Sequence, residues 1–508
     1  MRIIKKIISF MFSRLFLVAV MILAQLLLIT LVVVYFSQSV SYLYIFNLIS
    51  LLVVVGIISN TDSPHYKLTW VVFILIMPLT GWLFYLLLGN QRIPKKLRKQ
   101  IDAWHGNHGH LPDNLCEEHF AAQPQLLRQS RYIYNLSGYP LYPNTAGEYF
   151  PLGELMFERM LEKLRTAERY IFLEYFIIRP GYMWDTLFDV LKERAAAGVE
   201  VRLMYDDIGS IGTMSAHYNR LILEAGIKLC VFNPFRPRVS MLLNYRDHRK
   251  ICVIDGEIAF CGGINIADEY INRLERFGHW KDTGVMLQGE AVWSFTFMFL
   301  QQWQFSLGEP IDFDAYRPSF SQAKVGEDLV QVFGDSPLDK YNVTEIAYMN
   351  IISRATRYVY ITTPYLVIDS EMETALCTAA QSGVDVRIIT PSIYDKWYVH
   401  LITRSHYSQL IKAGVKVYEY TPGFMHGKVF VSDDDICMVG TCNMDFRSFY
   451  LHFECTVAFF QSQVIESVKQ DMLLSQQASR LITLEDTKKI SVPMRIVRAF
   501  IKIFAPLL

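Results

Sequence analysis

The chain has 508 residues, enough for two or three domain-sized units, and 52% of them are hydrophobic, with the excess gathered before residue 90. Its 49 basic and 49 acidic residues cancel, so no net field marks it as a nucleic-acid binder. The 8 cysteines are scattered without a CxxC pair, several inside apolar strand patterns, which argues for buried free thiols in a reducing compartment over a disulfide framework or a metal centre.

The first 90 residues predict a membrane-embedded helical region. Residues 15–36 are apolar apart from Gln25 and Thr30, long enough to cross a bilayer and longer than the core of a cleavable signal. Residues 42–59, carrying Asn47 and Ser50, form a second candidate span. Residues 68–88, with a kink expected at Pro78-Leu79-Thr80-Gly81, form a third. Arg2, Lys5, Lys6 and Arg14 precede the first run, and Arg92, Lys95, Lys96, Arg98 and Lys99 follow the last. Both clusters ask for the cytoplasm, which three crossings cannot satisfy. The denser second cluster places the large C-terminal part there. Residues 91–143 then turn polar and irregular and read as a basic linker. The histidines of 104–110 read as a solvated loop rather than a metal site.

From 144–327 and again from 328–490 the chain follows one plan. A helical stretch (155–167, 344–355) runs into a strand, Tyr170–Tyr175 or Tyr358–Thr363. A helix closed by Gly198 or Gly383 leads to a second strand, and Ala225-Gly226 matches Ala413-Gly414. Alternating strands and helices predict an α/β fold: two mixed β-sheets, each flanked by helices. The first half carries a short basic and apolar insertion at 233–247. Asp206-Asp207, present in only one half, reads as a loop or substrate contact rather than a metal pair.

Each half then carries a short buried strand of one pattern: His248-Arg249-Lys250 through Asp255, and His426-Gly427-Lys428 through Asp433. On a strand, residues i and i+2 share a face. His and Lys of each copy therefore point one way, while the Asp, at odd spacing, points the other. At one constant offset, a glycine-containing loop follows with Asn265 or Asn443. Two such strands brought together would surround one pocket with two imidazoles and two ammonium groups. That set suits a phosphoryl group: cations for its oxygens, one imidazole to attack, one to handle the proton. A lone histidine on an apolar strand is usually a core residue; two with matched Lys and Asn are not.

The last stretch, 491–508, sets Arg495, Arg498 and Lys502 among Ile496, Phe500 and Ile503. It reads as an amphipathic basic helix for an anionic lipid surface or for packing on its own domain.

These motifs resemble the phospholipase D superfamily, whose signature is two copies of HxKxxxxD. The match narrows to the bacterial cardiolipin synthases through Gly262–Tyr270, Trp280–Thr283, Ile361–Tyr365, Asn443–Ser448 and Phe453-Glu454. The resemblance covers about residues 65–508. It implies a duplicated phospholipase D-like fold in a bacterial inner membrane. Its implied reaction joins two phosphatidylglycerol molecules into cardiolipin and glycerol, with no cofactor, metal or nucleic acid. It implies a catalytic set of His248, Lys250, Asp255, His426, Lys428 and Asp433, with Asn265 and Asn443 on the substrate phosphate. It makes His248 the nucleophile and His426 the general acid/base, a choice the residues alone leave open. Glu454 resembles the family's histidine-orienting glutamate. Arg276 stands at the equivalent spacing after His248, so Asp282 takes that part in the first half. Tyr365, 394–400 and 446–453 are the aromatic stretches suited to excluding water.

Overall fold

The computed structural model describes residues 40–60, 63–78, 81–89, 107–112, 116–234, 245–318, 324–339 and 341–507, with scattered helical positions between 23 and 35. Most of the first candidate span, both basic clusters flanking the apolar region, and most of the insertion at 233–247 lie outside the described residues.

Two units emerge, one formed largely by the N-terminal helices together with Ile503–Leu507, the other by 96–233 and 246–502. In the helical unit the second candidate span forms one helix, Val40–Ser59. The third, 68–88, is not one helix. Its first part lies in Pro64–Ile76, and the chain resumes as Gly81–Phe84 and a π-turn at Tyr85–Gly89. Pro78 lacks the amide a continuous helix would need there. The Pro78 carbonyl instead accepts from Ser50 Oγ at 2.7 Å, which ties the break to the first helix. Val54, Ile57, Tyr66, Trp70, Ile74 and Tyr85 form the buried centre. Among the described residues no helix is long and apolar enough to cross a membrane.

The larger unit is built on one continuous sheet where two were expected. Tyr142–Phe150 pairs antiparallel with Gly284–Gly289 on one side and with Asp328–Asp335 on the other, fusing the halves. Outward through the first half come Ile258–Gly262, Lys250–Ile254, Tyr170–Tyr175, Glu200–Asp206 and Lys228–Phe232. Outward through the second come His452–Phe460, Ile436–Gly440, Val429–Ser432, Tyr358–Thr362, Asp385–Pro391 and Lys416–Tyr420, with Ser479–Leu481 on the edge. Each half is mixed: three parallel strands joined by helices, then antiparallel ones. Fusion satisfies strand edges that separate sheets would leave open. Gly198 and Gly383 both adopt φ of 95° after their helices, the left-handed turn that lets the next strand begin.

Of the stretch 91–143, residues 107–112 and 116–143 are described. Within it, Pro124–Ser137 is a helix whose Leu126 and Ile133 are buried, and Gln129 donates to the Ala347 carbonyl at 3.2 Å. All eight cysteines are free thiols, seven of them buried. The C-terminal basic stretch is helical over Val492–Ile503, with Ile496 and Phe500 exposed.

Candidate active site

Each motif histidine sits where a strand end of one half is hydrogen-bonded by the other. Before His248, Arg246–Asp247 runs parallel to His452–Phe453, and the His248 amide donates to the Phe453 carbonyl at 3.0 Å. Before His426, Gly423–Met425 runs parallel to His279–Lys281, and the His426 amide donates to the Lys281 carbonyl at 2.7 Å. The approach to His248 is braced by Asp206. Its buried carboxylate accepts from the Asp247 amide at 3.0 Å and from the Ile208 and Gly209 amides.

That crossing decides which carboxylate serves which ring. Glu454, of the second half, meets His248 Nδ1 at 2.9 and 3.0 Å. Asp282, of the first half, meets His426 Nδ1 at 2.5 Å. A carboxylate on Nδ1 fixes the proton there and leaves Nε2 with a free lone pair. Both acids are held in turn: Thr441 Oγ1 donates to Glu454 Oε2, and the Thr283 amide donates to Asp282 Oδ1 at 2.9 Å. A Cβ on Gly263 would lie 2.0 Å from Asp282 Oδ1, so this glycine is what lets the acid in.

Lys250 and Lys428 are buried, and each ammonium donates to the carbonyl of its own motif histidine. Lys428 Nζ also lies 3.0 Å from His426 Nδ1. That nitrogen has one bonding position and Asp282 takes it, so the lysine acts there as charge, not as a donor. Burial, then Lys250, Lys428 and His426, press His248 well below the usual imidazole range. Burial and Lys428 push His426 down to about 4, against the pull of Asp282. Burial lowers Lys250 to about 8 and Lys428 to about 7. Asp282 stays below its ordinary range despite burial, because His426 and Lys428 hold it ionised. Each motif thus feels the other's charges, and the resting site holds two neutral imidazoles among weakened cations. An arriving phosphodiester anion would restore both.

A pH dependence follows. The ammonium groups lose their protons as pH rises through about 7 for Lys428 and about 8 for Lys250, and with them goes the positive charge an anionic substrate would meet. We expect kcat/KM, which reports the free enzyme, to fall from neutral into mildly alkaline pH. A profile flat across that range would contradict the assignment.

Asp255 and Asp433, grouped by motif with the catalytic side chains, lie elsewhere. Each adopts a left-handed φ, 55° and 52°, and turns its carboxylate onto backbone amides. Asp255 accepts from Glu168, Arg169 and Tyr170, and Asp433 from Thr356, Arg357 and Tyr358. They fasten the strand's far end to its neighbour, as odd spacing on a strand requires. The two asparagines also differ. Asn265 accepts from the Ile177 amide at 2.9 Å and donates to Tyr270 Oη at 2.8 Å, so its amide is committed to holding its loop. Asn443 is buried with no partner on Oδ1.

The rings against the histidines are mostly others than the sequence suggested. Trp280, Tyr270 and Phe424 lie 5.2, 5.5 and 5.7 Å from His426, and Phe176 lies 5.0 Å from His248. Of the expected stretches, 446–453 contributes His452, 5.2 Å from His248. Tyr365 is bound to Asp395 at 2.5 Å. His452 and Thr441 were missed. Their one signal was a polar residue standing in an otherwise apolar strand pattern.

The family described as "Cardiolipin synthase, PLD-like domain" matches residues 160–278 and 348–473, one segment in each half. "Phospholipase D-nuclease N-terminal" matches 45–90. An uncharacterized protein of Streptococcus mutans is 42% identical over 87% of this chain and 96% of its own length. A cardiolipin synthase of Alkalihalophilus pseudofirmus is 33% identical over 91% of this chain and 93% of its own. Among solved structures, a phosphatidylserine synthase of Haemophilus influenzae superposes with a TM-score of 0.58 at 14% identity, covering 75% of this chain and all of that one. That last likeness is one of fold.

Proposed function

The chain belongs to the cardiolipin synthase family with phospholipase D-like domains, and on that premise we propose how its two histidines make cardiolipin. It is a phosphatidyltransferase that joins two phosphatidylglycerol molecules into cardiolipin and glycerol. As the phosphodiester anion binds, His426 takes up a proton on Nε2; His248 Nε2 then attacks phosphorus, the bond to the headgroup glycerol breaks, and His426 gives that oxygen its proton. The glycerol hydroxyl of a second phosphatidylglycerol then passes its proton to His426 and attacks. The phosphorus–nitrogen bond breaks and His248 is regenerated. Lys250, Lys428 and the Asn443 amide hold the phosphoryl oxygens as charge shifts. One phosphodiester replaces another, so the exchange needs no nucleotide. The observation that carries this reading is the pair of buried rings, each with Nδ1 on a carboxylate from the opposite half.

The enzyme works at a bacterial inner membrane, with the sheet unit in the cytoplasm. Support for the membrane is the outer face of Val40–Ser59, where Tyr44, Leu48, Leu51, Leu52, Val55 and Ile58 are all exposed; the cytoplasmic side rests on the basic cluster of Arg92, Lys95, Lys96, Arg98 and Lys99. The basic C-terminal helix would lie on the anionic surface.

Purified full-length protein given phosphatidylglycerol in detergent, with a chelator and no nucleotide, is expected to release glycerol and form cardiolipin in equal amounts. Phosphatidic acid as the main product would make the enzyme a hydrolase instead, because water had reached the intermediate.

A further inference from the structure

His452 has no part in the scheme above, yet it is 93% buried beside the attacking ring, at 7% exposure. Neither of its ring nitrogens has a hydrogen-bond partner. Its Nδ1 lies 3.7 Å from Glu454 Oε1, too far for a hydrogen bond. Burying an imidazole without a partner is unfavourable, and such a group calls for a ligand.

The donor atoms of His248, His452 and Glu454 all lie within 4.8 Å of one another. We propose that these three side chains form a binding site for a divalent transition metal ion of the zinc class, and that filling it arrests the enzyme. Two imidazoles and a carboxylate are a zinc-type donor set, whereas magnesium and calcium ask for oxygens. Bonds of about 2.0–2.1 Å at tetrahedral angles space donors about 3.3 Å apart. The separations of 2.9 Å from His248 Nδ1 to Glu454 and 3.7 Å from Glu454 to His452 bracket that value. Thr441 holds Oε2 of Glu454, which leaves Oε1 facing both rings.

Arrest follows from the tautomer. A metal on His248 Nδ1 displaces the proton that Glu454 holds there, and the neutral ring then carries it on Nε2. The lone pair that would attack phosphorus is gone. No bond to carbon changes and nothing is oxidised; chelation reverses the shift. The binding half of this proposal stands on the geometry, and only the arrest rests on the phosphatidyl-transfer reading.

The test uses full-length detergent-purified protein, stripped with EDTA and titrated with zinc chloride. Bound zinc is counted by equilibrium dialysis and turnover followed in parallel. A second cluster, Cys116, Glu118 and His119, also offers donors within 4.8 Å, so the H119A protein supplies the background count. Zinc should inhibit the native enzyme, with EDTA restoring it. His452→Asn should raise the inhibiting concentration by at least about 10-fold and lower the bound zinc by one equivalent. Equal inhibition or equal zinc content in H452N overturns the proposal. If no cardiolipin forms at all, the lost equivalent still decides the site. If H452N does not fold, X-ray absorption on the zinc-loaded protein with Cys116 and His119 both changed to alanine decides it: two imidazoles and a carboxylate are expected, and a shell without imidazole overturns it.

Discussion

His248→Ala and His426→Ala are each expected to lower cardiolipin formation by at least about 10⁴-fold, and the double variant to be little worse than either, because the two rings act on one phosphorus in turn. The two variants should part company on an activated substrate. A phosphatidyl ester whose leaving group is a nitrophenolate needs no proton on departure, so H426A should release one equivalent of it rapidly and stop. The stalled protein should carry a phosphatidyl group on His248, found by mass spectrometry of the peptide. H248A should release none. The reverse pattern would move the nucleophile to His426, and near-native rates in either variant would remove the two-histidine mechanism.

How much of this was legible in the sequence depends on the range of the interaction. The shared face of His248 and Lys250, and of His426 and Lys428, followed from a period of two along a strand. The same period sent Asp255 and Asp433 to the far side, onto amides at 168–170 and 356–358. Glycine after each helix marked Gly198 and Gly383 for the same reason: a left-handed residue is a local need.

The rest is set by contacts distant in sequence. The parallel pairings at 246–247 with 452–453 and at 279–281 with 423–425 span two or three residues, too few to show any period. They nevertheless assign Glu454 to His248 and Asp282 to His426. The fusion of the halves rests on Tyr142–Phe150 pairing on both edges, which no single half predicts. Hydropathy grouped 68–88 as one apolar run, and the kink expected at 78–81 falls where Pro64–Ile76 gives way to Gly81–Phe84. Asn265 and Asn443 look alike in sequence, and the Ile177 amide and the Tyr270 hydroxyl, which engage the first, distinguish them.

Exchanging the orienting acids for amides tests the crossing itself. Glu454→Gln and Asp282→Asn should each slow turnover by about 10³-fold, because an amide can donate to Nδ1 as well as accept from it. The ring is then free to hold its proton on Nε2, which denies His248 its attacking lone pair and denies His426 the lone pair that accepts the incoming hydroxyl's proton. The shapes are conserved, so stability should change little and the loss should lie in kcat more than in KM. The step affected differs. In E454Q the ring that loses its lone pair is His248, so with the activated ester the covalent intermediate should form slowly and never accumulate. In D282N the compromised ring is His426, which that ester does not need. The intermediate should form at close to the native rate and then persist, since nothing takes the proton from the incoming glycerol hydroxyl. If each acid served the histidine of its own half, the two variants would exchange behaviours. Accumulation in E454Q with none in D282N would therefore contradict the crossed pairing, provided the trapped phosphate in H426A lies on His248.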